Sequence, residues 1–342
     1  MYVWSSMTRC RLLFFLVQSF LFGLKAQEGL PIYTDYLMDN WYLVHPAMAG
    51  TLYNGGQVRM TGRQQWFDQE LAPALQTLTA SYRFNDKSGG GLLVFNDRNG
   101  YYSTNGAYVT YTHHIYMGRD FKSACDCLYP DPKNSINELS FGISIGSVFN
   151  TLDQRNFDSS QYDPLIVGLK QQKGYVAMDI GLAYLNPRYY AQLSVKNVLF
   201  SPHNRFGDFY YPYDRNRANY RRIIAGGGRF FELGNFILEP SVLFQWAEIS
   251  NEKSLDSNLK FYLSMKSDQF WIGISHRMSF RPVGFYLQTR FGKQRLNSLT
   301  PLLGLNVKNW VFSYNYAYTS GAIQFDNSGF HQVGIGYNID SN

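Results

Sequence analysis

Leu139-Ser140-Phe141-Gly142-Ile143-Ser144-Ile145-Gly146 alternates at every step: the odd positions are large and apolar, the even ones glycine or serine. A period of two is the period of a β-strand, whose successive side chains point to opposite faces. Neither face is charged, as a face in bulk water would be. Hydrocarbon on one side and a watery or filled interior on the other demand this pattern, and the wall of a transmembrane β-barrel is such a sheet.

The pattern recurs along the chain. Trp310, Phe312, Tyr314, Tyr316 and Tyr318 alternate with Val311, Ser313, Asn315 and Ala317. Leu259, Phe261, Leu263 and Met265 alternate with Lys260, Tyr262, Ser264 and Lys266, and Val333, Ile335, Tyr337 and Ile339 with Gly334, Gly336 and Asn338. A slip of one residue would turn Lys260 and Lys266 into lipid, so the register is specified. Less regular strands are expected over 57–66, 75–84, 89–96, 106–116, 175–185, 189–198, 221–231, 235–246 and 270–278.

Connection lengths complete the count. Short turns at Asp86-Lys87-Ser88, Asn186-Pro187, Glu232-Leu233-Gly234, Ser267-Asp268 and Lys308-Asn309, taken as periplasmic, alternate with longer loops, as bacterial barrels require. That parity allows one strand between Pro282 and Lys308. It falls at Leu299 to Lys308, with Arg281 to Ser298 an outer hairpin or insertion. The expected fold is all-β: a transmembrane antiparallel β-barrel of about 14 strands in the outer membrane, both termini periplasmic. By the same parity the segment Met117 to Asn137, with Cys125 and Cys127, lies on the periplasmic side.

Arg9 and Arg11 precede an apolar run from Leu12 to Leu24 that ends at Lys25-Ala26-Gln27, the plan of a secretory signal peptide. The expected domains are a signal peptide at 1–26, an N-terminal plug or periplasmic segment at 27–55, and the barrel at 56–342. Arg9, Arg11 and Lys25 are three of 31 basic residues, leaving 28 against 25 acidic ones in the mature chain. So small an excess, without a basic block, excludes a nucleic-acid partner. No mature stretch approaches 18 apolar residues, which excludes spanning helices. Cys125 and Cys127 stand too close for an unstrained bridge.

Motifs that would carry chemistry read as structure. Gly142-Ile143-Ser144-Ile145-Gly146 matches G-x-S-x-G, but a nucleophile elbow needs a strand-to-helix turn and no helical pattern follows. The glycines at 89–91 and 226–228 lack the Lys-Ser/Thr of a phosphate loop. His113 and His114 point to opposite faces of a strand, and His45, His203, His276 and His331 have no companion at metal-ligand spacing. No catalytic, cofactor or metal site is expected, and the chain reads as a non-enzyme. Arg63 is expected to pair with a lumen or plug carboxylate, and Trp66 to sit at the membrane interface. The aromatic loop Asp208 to Asp214 reads either as a partner-binding tip or as a cover folded on the rim.

Ile32-Tyr33-Thr34-Asp35-Tyr36, His45-Pro46-Ala47-Met48-Ala49-Gly50 and Arg63-Gln64-Gln65-Trp66 with Pro73 form one set of signatures. Gly89-Gly90-Gly91 with Asn96-Asp97 and Gly100, Glu239-Pro240-Ser241 and Trp271 to Arg277 form a second; Tyr314-Asn315-Tyr316 and Gly329-Phe330-His331-Gln332 close the chain. Together they resemble the PorP/SprF family over nearly all of the mature sequence. The chain departs from that pattern at His45, Ala317 and Gln332, where members usually carry Asn, Asp and Glu. The resemblance implies an outer-membrane component of the type IX secretion and gliding system, surrounded by outer-membrane lipid. Its implied partners are secretion components, the C-terminal domain of a secreted adhesin, or both. Pro46, Gly50, Arg63, Trp66 and His331 are the structural or partner candidates. Residues 27–50 are expected to enter the lumen as a plug, their backbone satisfied by inward Ser, Asn and Lys groups. The competing reading is a channel for small hydrophobic or polar solutes; a lipid-hydrolysing barrel would need a lipid-facing Ser-His pair, which the sequence does not place.

Overall fold

The computed structural model describes residues 40–51, 55–65, 67, 71–117, 137–156, 168–199, 221–234, 236–248, 252–265, 268–280, 283–287, 290–294, 297–320 and 329–340. The expected signal peptide, Trp66, Cys125, Cys127 and the loop Asp208 to Asp214 lie outside them.

A short helix α1 (Trp41–Val44) and a 3-10 turn (Pro46–Met48) precede the sheet. The strands are β1 (Gly55–Gln65), β2 (Ala74–Asn85), β3 (Ser88–Asn99), β4 (Tyr102–Met117), β5 (Asn137–Asp153) and β6 (Lys170–Asn186). There follow β7 (Tyr189–Lys196), β8 (Arg222–Arg229), β9 (Phe231–Leu233), β10 (Phe236–Ala247), β11 (Glu252–Met265) and β12 (Asp268–Ser279). The last are β13 (Val283–Leu287), β14 (Arg290–Gln294), β15 (Asn297–Val307), β16 (Trp310–Ser320) and β17 (Phe330–Asp340).

Each wall strand pairs antiparallel with its neighbours, and the sheet closes where β1 meets β17, from Gly55↔Asp340 to Gln65↔Phe330. β8 and β9 both pair with β10 and form one stave interrupted at Phe230, so the 15 wall segments make 14 staves. Closure removes every sheet edge along the paired height, the condition for a sheet to sit in hydrocarbon. β13 and β14 form a separate hairpin, in register from Val283↔Gln294 to Leu287↔Arg290. This is the insertion expected between Arg281 and Ser298, and β15 starts at Asn297.

Local chemistry makes the tight turns. Asn85 Oδ1 accepts the Lys87 amide at 2.9 Å and Asn186 Oδ1 the Arg188 amide at 2.9 Å, side chains mimicking a backbone turn. Lys308 adopts a positive φ of 51° in the two-residue turn before Trp310. Wall height is uneven: β5 and β6 each run 17 residues, β7 and β8 only 8. β7 accompanies β6 only from Ile180 to Asn186, after which the Val198 amide bonds the Met178 carbonyl at 2.7 Å.

The faces follow the alternation. On β5, Phe141, Ile143 and Ile145 are exposed outward while Ser140 and Ser144 are buried inside. On β11 Leu259 faces out and Lys260 in, as the register argument requires. The interior is not only small and hydrophilic, however, and here the alternation misleads. Tyr108, Tyr190, Leu243, Tyr262, Trp271 and Leu302 point inward and form an apolar cluster with the N-terminal segment. Their bulk is offset by glycine: a Cβ on Gly304 would overlap the Trp271 indole.

Candidate functional site

The segment from Asn40 to Thr51 packs on the inner face of β2 and β4 to β7. Asn40 caps α1, its Oδ1 accepting the Leu43 amide at 3.3 Å while its Nδ2 donates to Thr79 Oγ1 at 2.9 Å. Four residues are far too few for a helix to persist alone. Pro46 ends it, holding His45 extended, and Gly50 turns the chain with a φ of +71°. A Cβ at Gly50 would come within 3.0 Å of the Tyr82 carbonyl oxygen, so both backbone freedom and space call for glycine there.

So irregular a backbone cannot satisfy its own carbonyls, and the wall supplies donors. Ser194 Oγ donates to the Val44 carbonyl at 3.1 Å, Thr112 Oγ1 to Ala49 at 2.8 Å, and an Arg83 guanidinium nitrogen to Gly50 at 3.0 Å. The Tyr42 hydroxyl joins Thr110 Oγ1 at 2.8 Å, which joins Ser144 Oγ at 2.7 Å. Burial pushes the Tyr42 hydroxyl up to about 12, so it stays protonated. The Trp41 ring lies 4.4 Å from that of Tyr190. Gly142 and Gly181, partners across β5 and β6, give the segment a bare floor; a Cβ on Gly142 would overlap the backbone of Pro46 and Ala47.

Charged groups surround this floor, and the sequence reading did not find them. Arg83 donates to Glu138 Oε2 at 3.3 Å, to the Asp86 carbonyl at 3.0 Å and to the Tyr116 hydroxyl. Glu138 Oε1 lies 2.9 Å from His114 Nδ1 and accepts from Ser140 Oγ at 2.8 Å. Lys196 pairs with Asp179 at 2.8 Å. Across the barrel Arg277 donates two bonds of 2.6 Å to Asp256, and Glu239 accepts from Tyr190 at 2.6 Å and from Tyr262. Such charges persist in a low-dielectric interior only because each is paired or hydrogen-bonded. Inward strand parity marked Lys260 in the sequence and marks Arg83 and Asp179 equally; their partners depend on register.

His45 is the exception. It is buried, and neither ring nitrogen has a hydrogen-bond partner among the described residues. Burial, with the Lys196 charge nearby, pushes it down to about 3, so it is neutral at ordinary pH.

The sequence candidates fall in two places. Pro46 and Gly50 belong to the inner segment. Arg63 and His331 both belong to the β1–β17 seam but on opposite faces, Arg63 opposite Gln332 and Gln64 opposite His331. The Arg63 guanidinium lies 3.6 Å over the Phe330 ring. His331 Nδ1 lies 2.8 Å from the Tyr314 hydroxyl, with the rings of Tyr316 and Phe67 at 4.8 and 5.1 Å. Ser144 of the G-x-S-x-G match stands mid-strand in β5, away from any strand-to-helix turn. Among the described residues no three His, Cys, Asp or Glu side chains gather as a metal site.

No curated protein matches the chain. Among solved structures it is similar to the TodX monoaromatic hydrocarbon channel, a ΔS2 mutant, with 7% identity and a TM-score of 0.41 over 85% of this chain and 90% of that one. It is similar to BamA from Haemophilus ducreyi lacking POTRA domains 1–3, with 11% identity and a TM-score of 0.39 over 83% and 70%. For CdiB from Acinetobacter baumannii the identity is 9% and the TM-score 0.35, and the chain spans 60% of that protein while 84% of its own length is covered. The family model described as "Type IX secretion system membrane protein PorP/SprF" matches residues 25–337, which is nearly the whole chain. A closed 14-stave barrel with an apolar outer belt, carrying that match throughout, is a member of the PorP/SprF family of type IX secretion outer-membrane proteins.

Proposed function

We propose that this barrel supports the secretion and surface display of cargo proteins, or of one cognate adhesin, as a non-catalytic subunit of the type IX system. Its partners on this reading are other secretion components, a secreted C-terminal domain, or both. The N-terminal segment plugs the lumen, and both termini, which lie at one end of the wall, face the periplasm. The observation that carries the reading is the docking of residues 40–51: their carbonyls are met by Ser194, Thr112 and Arg83, and two facing glycines leave room for the backbone. A solute channel needs an open path, and the packing of residues 42–49 against inward wall side chains favours the plug reading over the channel. Pro46 and Gly50 serve as plug anchors. Arg63 and His331 stand near the end of the β1–β17 seam remote from Gly55 and Asp340, where a partner docks, and Trp66 is a further candidate from the sequence.

The test is deletion of the gene, followed by parallel measurement of secreted proteins at the cell surface and of small-solute uptake. Loss of display with normal uptake is expected. Normal display with impaired uptake would overturn the proposal in favour of the channel. Purification with a cross-linked adhesin terminus would identify the cargo directly.

A further inference from the structure

The outer wall carries one feature that neither closure nor plugging explains. In β4 to β7 the outward side chains stand in two rows across the strands, set by register. Tyr111 pairs with Ile143, Ile143 with Ile180, and Ile180 with Val195. One pleat away His113 pairs with Phe141, Phe141 with Leu182, and Leu182 with Leu193. Between these banks the floor is the backbone of Gly142 and Gly181, and the resulting furrow has a volume of about 470 Å³. That lies in the range of sites that take small ligands, roughly 300–1,000 Å³. Four strands at the usual spacing make it about 14 Å long.

The furrow is amphipathic along its length. At the β7 end Leu193 and Val195 are aliphatic. At the β4 end His113 is exposed, and the Tyr111 hydroxyl lies 3.3 Å from Ser88 Oγ. Exposed Lys87 stands in the adjoining turn, its carbonyl accepting the His114 amide at 2.8 Å. An apolar trough on a membrane-facing wall, ending beside an imidazole, a phenol and an ammonium, is matched to a molecule with a hydrocarbon tail and an anionic head.

We propose that the furrow binds one phospholipid, an acyl chain lying over Gly142 and Gly181 and the phosphate beside His113 and Lys87. The orientation proposed above puts the Lys87 turn on the periplasmic side, so the headgroup lies in the inner leaflet, which favours a phospholipid over lipopolysaccharide. The proposal rests on insertion of the barrel in the membrane and is independent of the secretion role.

Native mass spectrometry of the detergent-purified barrel, delipidated and then incubated with phosphatidylethanolamine, with diacylglycerol of the same chains or with lipopolysaccharide, tests it. The wild type is expected to retain one phosphatidylethanolamine. Ile180→Trp in the middle of the furrow and Val195→Trp at its β7 end should each weaken retention roughly tenfold, as if about two methylene groups were lost from burial. Lys87→Ala with His113→Ala should weaken phosphatidylethanolamine but leave diacylglycerol unchanged. Leu305→Trp, an outward change on β15, should alter neither and controls for folding. Equal retention by the furrow variants, retention of lipopolysaccharide instead, or no retained lipid in the wild type would overturn the proposal.

Discussion

Arg83 holds Gly50 by a 3.0 Å hydrogen bond, and the same guanidinium nitrogen reaches Glu138 at 3.3 Å. One buried cation thus serves the wall and the inner segment at once. Arg83→Met leaves a carboxylate and a carbonyl without that donor. Breaking one side of a buried pair costs about 3–5 kcal/mol. The expected outcome is exposure of residues 40–51 to protease and a higher conductance in planar bilayers, with unchanged far-ultraviolet circular dichroism. Arg83→Lys should recover only part of the effect, because an ammonium cannot reproduce the planar fork.

Gly142 makes the complementary prediction from sterics. Any side chain there meets the backbone of Pro46 and Ala47. Gly142→Val should therefore expel the segment at a cost of roughly 1–3 kcal/mol, whereas Ser275→Ala, a buried inward change on β12, should leave it in place. Conductance of the two variants separates the outcomes, and equal conductance would show that the segment does not rest on this floor.

His45 predicts a pH dependence. Its value when docked, about 3, lies below the ordinary 6.5. Between these values the undocked histidine binds a proton and the docked one does not, so docking is strongest above pH 6.5 and weakens as pH falls toward 3. The slope is at most about 1.4 kcal/mol per pH unit. The charges facing it are Lys196 and its partner Asp179, which oppose one another. Openings in planar bilayers should become more frequent at pH 4.5 than at pH 7, and His45→Asn should flatten the difference. A pH-independent wild type would contradict this account.

Ile145 tests the orientation of the wall. It is 56% exposed on the outer face of β5. Ile145→Arg should destabilise the folded barrel by about 2–4 kcal/mol if that face meets the bilayer centre, against little change for Ile145→Leu. Urea titration in lipid vesicles measures the difference.

The outer face was legible because lipid imposes its chemistry on every second residue. Leu139 to Gly146 and Trp310 to Tyr318 show it without reference to any other part of the chain. The even strand count followed from turn parity, and it placed the β13–β14 insertion. The interior was less legible, because its partners are set by register and barrel shear. Arg83 and Glu138 meet from 55 positions apart, and Asp256 meets Arg277 from 21. Donors to the backbone of residues 40–51 include Ser194, Thr112 and Arg83, drawn from three separate strands. Strand ends were underestimated where the outward face leaves hydrocarbon: β5 continues from Gly146 to Asp153 through Asn150 and Thr151, and the alternation fades there.

The unequal staves have a consequence for depth. On its β7 side β6 is paired, among the described residues, from Ile180 to Asn186, with the Val198 amide reaching the Met178 carbonyl beyond, while β5 accompanies it down to Lys170. The outward side chains change from Ile180 and Val176 to Gly174, Gln172 and Lys170 across the same height. That change in side-chain polarity inscribes a waterline on this flank of the barrel.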